Sequence, residues 1–168
     1  MLFRLFDPTA RLRLSNGPTE PRPVATPEQV RRIADRMPDL HTRTLVLAAA
    51  YTGMRFGELT GLTRTHTHLD HANIHVSGDT GTLHEIGGDR YLGPPKTPAA
   101  VRDITLPPFL TDGLDRLLRA HPYETVFCTP TGRWMWRSTF TARTWRPAAT
   151  DTPTVAGSRS CPARGSTT

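Results

Sequence analysis

The chain has 168 residues, of which 36% are hydrophobic, with 16 prolines and 13 glycines; this bounds it to one modest globular domain with irregular ends. Its formal charge is +6, which permits a nucleic-acid partner, but the excess lies at the ends: net +2 over residues 1–25, −1 over 26–129 and +5 over 130–168. Two cysteines, Cys128 and Cys161, make neither a disulfide framework nor a zinc pattern, and no apolar run is long enough for a membrane span or shaped like a signal peptide.

Residues 1–25 have no sustained period, and Pro18, Pro21 and Pro23 read as an extended linker, expected to be poorly ordered. Thr26-Pro27-Glu28-Gln29 is a helix start: Thr26 caps, Pro27 suits the first turn and Gln29 completes a capping box. Val30, Ile33, Ala34 and Met37 recur at helical spacing and predict one buried face, and Pro38 stops the helix. A second helix runs from about Leu40 to Thr52 and is apolar nearly all round, so it belongs at the centre of the core.

Thr52-Gly53-Met54-Arg55-Phe56-Gly57-Glu58-Leu59 ends that helix and starts another, from about Arg55 to Leu62. Gly53 supplies a left-handed C-terminal residue, and Glu58 falls in the new helix's first turn, where a carboxylate suits the dipole. Spacing alone makes this a corner with a structural Arg–Glu pair.

Further along, His66, His68, His71 and His75 fall on a polar turn and the strand Ile74-His75-Val76, and no cysteine or carboxylate arrangement makes a metal site of them. Gly78 to Asp89 reads as a loop or hairpin tip. Tyr91 to Leu106 reads as two short strands around Pro94-Pro95-Lys96-Thr97-Pro98, and Leu110, Leu114, Leu117 and Leu118 mark an amphipathic helix from about Pro108 to Ala120. Thr125-Val126-Phe127-Cys128 is a short strand, Pro130-Thr131-Gly132 a turn, and Arg137 to Pro147 a further helix. Trp134-Met135-Trp136 reads as core or a hairpin face. From Ala149 onward Thr, Ser, Pro, Gly and Arg dominate and disorder is predicted.

Tyr51-Thr52-Gly53-Met54-Arg55-Phe56-Gly57-Glu58-Leu59 resembles the first active-site box of the tyrosine recombinases, the phage integrase family. Gly93-Pro94-Pro95-Lys96-Thr97 followed by Val101-Arg102-Asp103-Ile104-Thr105-Leu106-Pro107 resembles the hairpin that carries the family's catalytic lysine. The resemblance covers residues 26–148 as a partial catalytic domain, preceded by a remnant of a DNA-clamping domain and followed by an unrelated tail at 149–168. It implies an α+β fold, mainly helical with a small antiparallel sheet.

Phosphodiester exchange needs a nucleophile, a proton donor for the leaving 5′-oxygen, and cations for the charge that builds on the phosphate oxygens. A guanidinium suits the last role, being planar and permanently charged. By the resemblance, Arg55 clamps the scissile phosphate, Glu58 supports it and Lys96 protonates the leaving oxygen. Arg64, Arg102 and Arg137 are then candidate DNA contacts. The implied partners are double-stranded DNA and further recombinase subunits, in the bacterial cytoplasm at the nucleoid, with no metal, no cofactor and no membrane. The family also requires a His-x-x-Arg box and a C-terminal tyrosine that attacks to give a 3′-phosphotyrosyl link. No His here is followed three positions on by Arg, and Tyr51, Tyr91 and Tyr123 all precede the place where the nucleophile belongs. The expectation is a truncated recombinase chain without independent strand cleavage. A non-catalytic DNA-binding or regulatory module and a non-functional product are the alternatives.

Overall fold

A computed structural model describes residues 24–150; the readings of 1–23 as a linker and of 151–168 as a disordered tail lie outside the described residues. The Thr26 hydroxyl accepts from Gln29 N and Gln29 Oε1 accepts from Thr26 N, the reciprocal cap that starts α1 (Pro27–Asp35). Asp39 caps α2 (Leu40–Thr52) through Thr42 N at 2.8 Å, and α2 ends at Gly53 with φ 65°. The six-residue α3 (Phe56–Gly61) follows at once.

The chain then makes β1 (Thr67–His68) and β2 (Asn73–Val76), each preceded by one 3-10 turn, and the hairpin of β3 (Thr82–Ile86) and β4 (Asp89–Gly93). It closes with β5 (Arg102–Thr105), α4 (Pro108–Ala120), α5 (Arg137–Phe140) and α6 (Arg146–Thr150). Residues Thr141–Trp145 join the last two as a π-helical turn. Pro147 has no N–H to offer the Arg143 carbonyl and its ring crowds that oxygen, so the winding loosens there.

Two small antiparallel sheets result, one ordered β1-β2-β5 and one made of β3 and β4 alone. This is the expected α+β architecture, with one change of plan. The strands on either side of Lys96 do not pair with each other: β4 pairs with β3 and β5 with β2. The hairpin lies earlier, turning at Gly87-Gly88, whose φ values of 62° and 93° suit the tight two-residue turn that right-twisted strands demand. Lys96 therefore lies on a strap between two sheets. The stretch Thr125–Cys128 makes only isolated bridges, Thr63 to Thr125 and Cys128 to Trp134.

The core gathers Leu45 and Ala48 of α2, Leu59 of α3, Ile74 and Val76 of β2, Leu110, Leu114 and Leu117 of α4, and Phe127. Burial of each large side chain contributes about 1.5–3 kcal/mol. A smaller cluster, Ala34, Met37, Val46 and Ala148, ties the last helix to α1 and α2. No helix among the described residues is long and apolar enough to cross a membrane.

Candidate functional site

The α2–α3 corner is held by one buried carboxylate. Glu58 is 1% exposed, and its Oε2 accepts from the Arg55 backbone N–H at 3.1 Å, tying the first turn of α3 back to the residue that precedes it. Oε1 accepts from Arg55 Nη1 at 3.1 Å, and Oε2 also accepts from Arg102 Nη2 at 3.0 Å. Two guanidiniums from distant parts of the chain thus share one carboxylate. Arg102 is 31% exposed and Arg55 64% exposed, so Glu58 tethers Arg55 at one nitrogen while most of that guanidinium faces solvent.

Above this corner the β3–β4 hairpin rests directly on α3. A Cβ at Gly57 would stand 2.8 Å from the Leu83 carbonyl oxygen, and one at Gly61 2.7 Å from Leu83 N. Real Cβ atoms do not approach backbone so closely, so glycine one turn apart on α3 is what admits β3. The hairpin then walls a cleft of about 490 Å³, which Arg55, Lys96, Arg137, His84 and Glu85 help to line.

The cleft brings together Arg55, Lys96 and Arg137 from three separate elements. Glu85 Oε1 accepts from the Arg137 backbone N–H at 2.9 Å, and the Arg137 guanidinium lies 5.4 Å from the centre of the Phe56 ring. Arg102 stands behind Glu58 rather than in the cleft, its Nη1 donating to the Ala100 carbonyl at 2.7 Å. Arg64, expected among the DNA contacts, faces elsewhere. Its guanidinium donates to the carbonyls of Leu118, His121 and Tyr123, which are left free where α4 ends, so it closes a helix terminus.

Two cleft residues, His84 and Glu85, escaped the sequence reading because β3 lies in a stretch that reads as loop or hairpin tip. His84 stacks on Tyr91 with ring centroids 5.2 Å apart, and its Nε2 is 2.9 Å from the Pro94 carbonyl, two residues before Lys96. The Gly87-Gly88 pair between alternating residues was the signal that could have found the hairpin. Among the described residues no tyrosine lines the cleft: Tyr51 packs edge-on against Phe109, Tyr91 lies against the His84 ring, and the Tyr123 hydroxyl donates to the Pro130 carbonyl.

No protein-family model matches the chain. Over 101 residues, 58% of its length, the chain is 33% identical to a Mycobacterium tuberculosis protein named as a prophage phiRv2 integrase, found in strains CDC 1551 and H37Rv. It spans only 25% of that relative. Among solved structures, it superposes on the Tn1549 transposon integrase in complex with circular intermediate DNA with a TM-score of 0.59 at 21% identity, covering 74% of this chain and 43% of the other. It superposes on XerA recombinase with a TM-score of 0.58 at 16% identity, covering 83% and 45%. The chain is thus similar in sequence to a protein named as an integrase, and it shares its fold with a transposon integrase and a recombinase, as the resemblance of the boxes around Arg55 and Lys96 to the tyrosine recombinases, the phage integrase family, led one to expect.

Proposed function

We propose that the cleft between α3 and the β3–β4 hairpin receives a phosphate of duplex DNA, and that the chain serves site-specific recombination in the bacterial cytoplasm. The observation that carries this reading is the convergence of Arg55, Lys96 and Arg137 on one cleft. Arg55 offers the exposed edge of its fork to the phosphate oxygens while Glu58 holds the other edge. As the attacking oxygen bonds to phosphorus, negative charge grows on the non-bridging oxygens, where a guanidinium already in place stabilises it. Lys96, on its strap at the cleft wall, gives a proton to the departing 5′-oxygen as the phosphorus–oxygen bond breaks. Arg137 adds positive charge along the same wall. The DNA complexes of the Tn1549 integrase accord with this partner.

The attacking tyrosine is not among the cleft residues. In this reading the chain binds and polarises the phosphate, and cleavage waits on a hydroxyl brought by another recombinase subunit. A nicked suicide duplex tests both parts. The expected result is binding that weakens steeply with salt, no covalent adduct with this chain alone, and loss of binding in Arg55→Ala. A phosphotyrosyl adduct formed by the purified chain refutes the dependence on a second subunit. Binding untouched by Arg55→Ala and Lys96→Ala refutes the cleft as the DNA site.

A further inference from the structure

Away from the cleft, where α2 begins and α4 ends, lie one half-buried and two buried groups that the recombination chemistry does not use. His41 and His121 stack with ring centroids 4.9 Å apart and planes 27° from parallel. Cys128, a free thiol 2% exposed, completes the group: one ligand atom from each residue lies within 4.8 Å of the other two. The Nε2 atoms of His41 and of His121, the latter only 8% exposed, are both buried without a hydrogen-bond partner. Two such nitrogens on stacked rings are costly to the fold unless something with an empty orbital or a hydrogen joins them. A cavity of about 300 Å³, lined in part by His41, Cys128 and Thr129, opens onto the group.

We infer that His41, His121 and Cys128 form a binding site for a divalent transition metal of the zinc class, one that accepts both imidazole and thiolate. The ligand set is three protein donors with a side left open to the cavity, the form of a site that completes tetrahedral coordination with water. Metal–ligand bonds of about 2.0–2.3 Å at tetrahedral angles put donors about 3.5 Å apart, so the group tightens by about 1 Å on binding. The Cys128 thiol releases its proton to solvent as the sulfur–metal bond forms, and no electrons are transferred. Burial opposes that ionisation and the positive Arg64 favours it. Coordination through His121 Nε2 moves the ring hydrogen to Nδ1 and gives up the 3.2 Å bond that Tyr123 N–H donates there. The metal pins the first turn of α2 to the residue that caps α4. It bridges segments far apart in sequence, which a scan for local ligand spacing does not detect.

Cobalt(II) titration of the full chain, freed of metal and kept reduced, tests the assignment. Expected is a thiolate-to-cobalt charge-transfer absorption saturating at one equivalent, displaced by zinc, with the melting temperature raised by zinc. It should vanish in Cys128→Ser and in His41→Asn, and survive in Cys161→Ser. Circular dichroism establishes that each variant is folded. The inference is overturned if the folded wild-type chain shows no such absorption in excess cobalt. It is equally overturned if the absorption persists in Cys128→Ser or His41→Asn, or disappears in Cys161→Ser.

Discussion

Glu58→Gln keeps the shape of the α2–α3 corner and removes its charge. Glu58 accepts three hydrogen bonds, from Arg55 N, Arg55 Nη1 and Arg102 Nη2, at 3.0–3.1 Å. A glutamine has one oxygen, so whichever way the amide turns, its NH₂ meets at least one donor. Breaking a fully buried pair costs about 3–5 kcal/mol, but both arginines reach solvent and rehydrate, which brings the expected loss to about 2–3 kcal/mol. For a domain of this size that lowers the melting temperature by roughly 6–12 °C. The single replacements should rank unequally: Glu58→Gln most damaging, Arg102→Ala next, Arg55→Ala least; either truncation leaves Glu58 two donors, but Arg55 is 64% exposed against 31% for Arg102, so less packing is lost with it. Thermal denaturation by circular dichroism measures all three. A fall of less than about 2 °C for Glu58→Gln, near 0.5 kcal/mol, or a larger loss for Arg55→Ala, would refute the claim that the carboxylate organises the corner.

Gly57→Ala and Gly61→Ala each drive a methyl into the Leu83 backbone, so the hairpin must lift; a loss of about 1–3 kcal/mol is expected in urea titrations, with DNA affinity falling alongside. Arg64→Met should lower stability by about 2 kcal/mol by freeing the α4 carbonyls, yet leave the salt dependence of DNA binding unchanged; a shallower salt slope would return Arg64 to the DNA face. Burial lowers the pKa of both His41 and His121 below the ordinary 6.5, and for His121 the charges of His41 and Arg64 add to it. The unfolded chain therefore binds more protons than the folded one, so their contribution is complete above pH 6.5 and is lost as pH falls through and below it. In metal-free protein, urea midpoints between pH 7.5 and 5.5 should drop, and His41→Gln should flatten that drop; an equal drop in the variant would refute the assignment.

Local signals carried most of this architecture. The helix of Pro108–Ala120 follows from its leucine spacing, the start of α1 from Thr26 and Gln29, and the corner from Gly53 and Glu58. Arg55 and Lys96 stood out by resemblance, and packing then brought them to one cleft. What escaped was long-range. Nothing near Arg102 says that its guanidinium reaches Glu58, 44 positions away, and nothing near Arg64 says that it reaches the end of α4. The pairing of β4 with β3 instead of β5 depends on two glycines of α3 that admit the hairpin, a fact of shape with no period of its own. The histidines weighed in the sequence were neighbours there, His66, His68, His71 and His75, whereas His41, His121 and Cys128 meet only in three dimensions.

The contact of β3 with α3 is mainly backbone against backbone at Gly57 and Gly61, with only the Thr82 methyl beside it to compress or repack. The two walls of the cleft therefore behave as one casting, and its gauge is fixed by main-chain dimensions. A ligand of constant width, such as a sugar-phosphate strand, suits such a slot; one that demands adjustment does not.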